Sequence, residues 1–378
     1  MKKILFITHE ATATGAPKVL YLFLQWMQQN HPEVERHVVC LQAGGKLKEA
    51  FEQVAHAYHI FPTNKYQKKT FLEKVMTKLG WHTPKKSTVE VWQDLLVANQ
   101  YDIIYANTIV TLPFANQMKE RLPKAKLVCH VHEMKTIIQL VLLHQKINFS
   151  LVDHWIAVST LVKKDLLDLS IPIDLIEIIT EFSDIHSSVL KIPKNRVETI
   201  QIASSGIVHW RKGEDLFIQV ARVLKKNYPK IDFQFNWYGQ LNKNQEIIIN
   251  ADLEKLDLKN KVHFGGHTNN IYEAFSNTDL FLLTSREDPF PLVAIEAGAI
   301  GIPVICFDKA TGIAEIVNKI QPFDVLDYLD VEAMAERIAF YYSNPLELKV
   351  IAEKSKIEYG IFTVEEQCKK IYSLLSIT

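Results

Sequence analysis

The feature that most restricts the fold of this chain is a regular alternation of short apolar runs with longer helix-patterned segments. Strand-length runs occur at Ile4–Thr8, His37–Leu41, Tyr58–Phe61, Ile103–Ala106, Leu127–Val131, Trp155–Val158 and Ile176–Ile179. A second series follows at Ile200–Ser204, Phe233–Tyr238, Val262–Phe264, Leu280–Thr284, Val304–Phe307 and Asp324–Leu326. Strands separated by helices need crossover connections, so the pattern predicts an α/β fold with parallel sheets covered on both faces. The segment Lys18–Met27 is apolar nearly all round and reads as a buried helix. With 378 residues the chain exceeds one ordinary core and suits two. The polar stretch Asp184–Glu198, which contains Pro193, falls between the two series and is the expected seam. At the end, Thr363–Leu375 places Val364, Cys368, Ile371, Tyr372 and Leu375 on one side of an amphipathic helix.

Charge narrows the partners. Lys plus Arg and Asp plus Glu both number 43, so nothing global points to nucleic acid. Between Lys65 and Lys86, however, seven lysines face one acid, Glu73. Such a run is either a solvated face or a surface for an anionic partner, such as a membrane or a phosphate-bearing acceptor. Cys40, Cys129, Cys306 and Cys368 are far apart and form no C-x-x-C, which fits a reducing compartment and offers no metal site. The apolar run after Met1 is too short for a signal peptide, and no stretch is long enough to span a bilayer. The expectation is a cytoplasmic protein, with peripheral contact at the inner membrane face as a further reading of the lysines.

Ligands of open parallel sheets bind beyond the carboxyl ends of the strands. Three segments fit that position. In Leu280–Gly298 an apolar strand runs into an acidic, proline-bearing turn, and a helix is predicted to begin at Pro291. The free amides of Leu292 and Val293 would favour a phosphate there. Asp288 stands before this helix, either as its N-cap or as a ligand contact. Glu296 is the only charge within it, and a ligand hydroxyl or an internal partner must offset its burial. In Ile202–Phe217 a Ser/Gly turn leads to Arg211 and Lys212, read as lying at a helix start, where cations oppose the dipole. Gripping a diphosphate would explain them. In Thr12–Lys18 a single glycine, Gly15, makes a tight turn without the G-x-G-x-x-G spacing of a dinucleotide site. His132, at the end of another strand, reads as a structural histidine or a hydrogen-bonding partner in the same place.

Together these segments resemble glycosyltransferase family 4 of the GT-B fold, in which two Rossmann-like domains face a central cleft. The family mark is Glu, seven residues, then Glu. Here Asp288 and Glu296 occupy the two positions, in a variant with Asp-Pro-Phe-Pro. The resemblance implies that Asp288 contacts the transferred sugar and Glu296 the ribose, with the Phe290, Leu292 and Val293 amides on the distal phosphate. Lys212 matches the diphosphate lysine; the usual arginine position is Ile207 here, and Arg211 stands in for it. His132 matches the cleft histidine near the sugar, Gly15 and Ala16 the first-domain loop, and Asn107 an acceptor-side strand end, with Glu133 beside it. Tyr238-Gly239 and Phe264-Gly265-Gly266-His267 resemble segments lining the base pocket.

On this resemblance residues 1–190 form the acceptor-side domain, 191–360 the nucleotide-sugar domain, and 361–378 a helix returning to the first. The implied reaction moves a sugar, with retention, from a UDP- or GDP-linked donor to a glycan or lipid-linked acceptor in polysaccharide or glycoconjugate synthesis. No cofactor is expected. The chain has no Asp-x-Asp triplet, and Lys212, Arg211 and the helix amides would neutralise the leaving diphosphate without a metal. Catalysis would rest on His132, Asp288 and Lys212. Two other readings are a silent GT-B domain that binds a glycan or a partner protein, and a same-fold sugar-nucleotide epimerase or phosphorylase.

Overall fold

A computed structural model describes residues 2–13, 15–62, 87–185, 199–268 and 270–377. The Lys65–Lys86 run and the expected boundary between residues 190 and 191 lie outside the described residues.

All thirteen expected strands form, within a residue or two of their predicted ends. The first series gives β1 (Lys3–Thr8), β2 (Glu35–Cys40), β3 (Ala57–Ile60), β4 (Ile103–Asn107), β5 (Lys126–Val131), β6 (His154–Ala157) and β7 (Ile176–Ile178). They make a seven-stranded sheet of order β3-β2-β1-β4-β5-β6-β7. The second gives β8 (Ile200–Ser205), β9 (Phe233–Tyr238), β10 (Val262–Gly266), β11 (Leu280–Leu283), β12 (Val304–Phe307) and β13 (Val325–Leu326), in the order β10-β9-β8-β11-β12-β13. Pairing is parallel in both, for example Ile4↔Arg36 and Ile4↔Ile103 around β1, and Ile202↔Phe235 and Leu280↔Ile202 around β8.

Both orders reverse at the first strand in sequence, so each sheet has a switch point, at β1/β4 and at β8/β11. Helices leave the two sides of such a point in opposite directions, which opens a crevice past the strand ends. The strands there are buried along their length, as β4, β11 and β12 show. Towards the second sheet's edge, β9 alternates and β10 is half exposed. Central parallel strands are covered on both faces, whereas an edge is not.

By packing, residues 1–131 with 139–156 form one compact unit, and residues 132–138 with 157–377 form another. In the first, Phe6, Phe23 and Tyr105 pack as an aromatic cluster between β1, β4 and the helix Gly15–Asn30. In the second, Phe217 from the helix Glu214–Asn227 meets Phe235 and Trp237 of β9, with ring centroids 4.9 and 5.4 Å apart. The closing helix Val364–Ile377 buries Cys368, Ile371 and Leu375 as its pattern requires. Among the described residues no helix is long and apolar enough to cross a membrane.

Candidate functional site

The site grows from the two loops at the second sheet's switch point. After β8 the chain turns through Gly206 and forms a short 3-10 turn, Trp210–Lys212, before the helix Glu214–Asn227. Arg211 and Lys212 therefore precede the helix, and Glu214 and Asp215 fill its first turn, as the dipole prefers. The expected order of strand, turn, adjacent cations and helix is the one found, with the cations just outside the first turn. Gly213 joins turn to helix at φ +68°, where a Cβ would lie 2.0 Å from the Thr284 carbonyl oxygen. Only glycine allows the post-β8 loop to sit so close to the post-β11 loop. Thr284 Oγ1 completes the seam by donating to the Gly213 carbonyl at 2.9 Å.

Further bonds hold the loops in register. The Arg286 amide donates to the Arg211 carbonyl at 2.7 Å, and Arg211 Nη1 donates to the Glu287 carbonyl at 2.8 Å. Arg211 thus braces the acidic loop. Both Arg286 guanidinium nitrogens donate to Asp215, at 2.8 Å each. That hydrogen bond holds the Asp215 carboxyl below the usual range against a smaller opposing effect of burial. A third loop, after β12, supports the acidic turn from behind: the Asp288 amide donates to Ala310 at 2.8 Å and the Gly312 amide to Pro289 at 3.1 Å.

At the centre, Lys212 Nζ lies 2.6 Å from Asp288 Oδ2, with side-chain exposures of 18% and 6%. Ser285 Oγ donates to the same carboxylate oxygen at 3.3 Å. The helix that follows spans Leu292–Ala299, and Pro291, with ψ 122°, is its cap residue rather than its first turn. Asp288 precedes that cap by three residues and does not cap the helix. The Ala294 and Ile295 amides are the first to close onto Pro291, so those of Leu292 and Val293 stand at the helix's open end. Phe290 is held by an edge-on contact with Phe362 at 5.3 Å. Inside the helix, Glu296 is 3% exposed and accepts a 2.6 Å bond from Ser183 Oγ.

His132 and Glu133 follow β5. His132 Nδ1 is 2.5 Å from Glu181 Oε1, both side chains being buried. Glu133 folds back and accepts from the His132 amide at 3.0 Å. Gly239, at the end of β9, meets the first loop edge-on, since a Cβ there would lie 1.8 Å from the Gly206 carbonyl oxygen. His267 is exposed and follows Gly266, whose carbonyl accepts from the Gly239 amide at 2.8 Å. The second unit thus brings Arg211, Lys212, Gly239 and Asp288 together around one pair of loops. Glu296 and His132 are each fixed by a partner that sequence reading missed, Ser183 and Glu181. Their only signal was a polar Glu-x-Ser directly after an apolar strand.

In the first unit Gly15 opens its helix, the Ala16 carbonyl accepts from Asn107 Nδ2 at 3.1 Å, and Asn107 is fully buried. These three residues meet at that sheet's own switch point, β1/β4.

Comparison with known proteins adds to this geometry. Residues 189–358 match the family described as glycosyl transferases group 1. An uncharacterized glycosyltransferase of Haemophilus influenzae is 27% identical over 186 residues, 48% of this chain and 52% of its own. The chain therefore spans about half the length of that relative. Among solved structures, Anabaena HepE in complex with UDP has a TM-score of 0.76 at 19% identity, with all of both chains covered. The lipopolysaccharide outer core galactosyltransferase WaaB has a TM-score of 0.74 at 14% identity, again over both whole chains. The chain has the GT-B fold.

Proposed function

We propose that the protein is a retaining glycosyltransferase, which takes a sugar from a UDP- or GDP-linked donor and passes it to a glycan or lipid-linked acceptor. The observation that carries this reading is the Lys212–Asp288 pair at the β8/β11 switch point, beside the open amides of Leu292 and Val293. A diphosphate needs cations and oriented donors; a sugar needs acceptors for its hydroxyls. The pair supplies one of each, 2.6 Å apart.

In the proposed step the donor diphosphate draws Lys212 away from Asp288, and Asp288 turns to the sugar hydroxyls. Glu296 takes the ribose hydroxyls and His132 a further hydroxyl of the sugar. The bond from the anomeric carbon to the phosphate oxygen breaks, its electron pair leaving with the diphosphate, where Lys212 and the helix amides stabilise the charge. The acceptor hydroxyl oxygen bonds to the same face of that carbon, and its proton passes to the departing phosphate. The family match at residues 189–358 and the likeness to a UDP-bound structure support this reading.

A thermal-shift screen of nucleoside diphosphates and their sugars tests it. A ligand at a hundred times its Kd adds about 2.7 kcal/mol, and Glu296→Ala should remove most of that shift. A protein that no nucleotide stabilises does not use such a donor.

A further inference from the structure

We propose that Glu181 and Ser183 are positioning residues, which fix His132 and Glu296 in their working orientations before any donor arrives. The proposal deepens the glycosyl-donor reading and rests on it for the roles of His132 and Glu296.

The segment Glu181–Phe182–Ser183 is anchored at both ends. Ile179, just past β7, donates its amide to Ala157 at 3.0 Å. Ser183 donates its amide to Phe362 at 3.4 Å and bridges in parallel to Thr363. Between them Phe182 is fully buried. The buried ring thus anchors the segment, and the polar side chains on either side of it each take a polar partner.

Those two side chains end on two different site residues, on two different elements. Glu181 Oε1 lies 2.5 Å from His132 Nδ1, and Ser183 Oγ lies 2.6 Å from Glu296 Oε1. An ionised carboxylate only accepts, so the first bond places a proton on Nδ1 and sets the imidazole tautomer. Nε2 then accepts from a sugar hydroxyl when the ring is neutral. Ser183 donates its hydroxyl proton and holds the Glu296 carboxylate in one rotamer. Core packing alone gives no reason for one three-residue segment to reach both.

The two bonds act on different stages. His132 faces the sugar, whose charge changes in the transition state, so its orientation affects kcat. Glu296 faces the ribose, which does not change, so its orientation affects KM.

The experiment uses the full chain labelled with 15N-histidine, the His132 signals being identified by their loss in His132→Gln. Wild type should show Nδ1 protonated. Glu181→Ala should lose that tautomer and lower kcat by about tenfold to a hundredfold, the range seen when a metal-ligating histidine loses its carboxylate partner, with donor KM little changed. Glu181→Gln, whose amide oxygen still accepts, should restore the tautomer. Ser183→Ala should raise donor KM and leave kcat, and Ser183→Thr should recover it. An unchanged tautomer in Glu181→Ala, or equal changes of kcat and KM in both alanine variants, overturns the proposal. The tautomer readout needs no donor, so its failure is seen separately from failure of the glycosyl-donor reading.

Discussion

Replacing Lys212 by Met and Asp288 by Asn should have unequal effects on stability, and Asp288→Asn should affect two ligands unequally. The pair is 2.6 Å apart, and Asp288 is the more buried partner. Removing the lysine leaves a carboxylate among buried neighbours with, among the described residues, only the Ser285 hydroxyl at 3.3 Å as a side-chain partner in place of the cation. Such a loss costs about 3 kcal/mol. At roughly 2–4 °C per kcal/mol for a body of this size, Lys212→Met should melt about 6–12 °C lower. Asp288→Asn leaves an ammonium that can turn to water, so its cost should be nearer 1 kcal/mol. The double variant should recover part of the sum, a coupling of about 1–2 kcal/mol. Ligand binding then divides. In the free protein Asp288 competes with a diphosphate for Lys212. Calorimetry should therefore show Asp288→Asn binding a nucleoside diphosphate more tightly than wild type, by about fivefold for each kcal/mol of competition removed. The matching nucleotide sugar should gain less or bind more weakly, because its hydroxyl partner is gone. If both ligands weaken together, the competition argument is wrong. If Lys212→Met is no less stable than Asp288→Asn, the burial argument is wrong.

Two other perturbations follow from the loop geometry. Gly239→Ala would set a methyl 1.8 Å from the Gly206 carbonyl, which also accepts from Trp237 Nε1 at 2.9 Å. Relief must shift the first loop, so chemical denaturation should show a loss of about 1–3 kcal/mol, together with weaker nucleotide binding. The Asp215–Arg286 pair gives a pH dependence of known sign. The Asp215 carboxyl is depressed in the folded state by Arg286, so its stabilisation is present above the unfolded value and is lost as pH falls through the lower folded one. Wild type should exceed Asp215→Asn by under about 1 kcal/mol at neutral pH, since Asp215 is largely exposed. In urea melts the difference should shrink below about pH 4; a gap that widens there refutes the assignment.

The sequence by itself determined the elements. Every strand was legible because apolar runs of strand length bounded by polar segments leave little choice once helices lie between them. Lys212, Asp288 and Glu296 were legible as candidates, since each sits at a position where its residue type is out of place without a reason: a cation pair after a strand, an acid in a turn, a lone charge in an apolar helix. Pairing was not legible. That Lys212 meets Asp288 across 76 residues follows from strand order, because β8 and β11 become neighbours only when the sheet reverses direction. Arg211 is a similar case: its sequence position suggests a phosphate, and only the fold adds that its Nη1 donates to the Glu287 carbonyl. Glu181 and Ser183 were missed for the same reason. A buried carboxylate and a buried hydroxyl carry no periodicity, and their meaning lies in partners 49 and 113 residues away. Local patterns encode which faces must be buried; only the closed tertiary structure decides which buried polar groups meet, since each must find a partner among whatever the sheet order brings near.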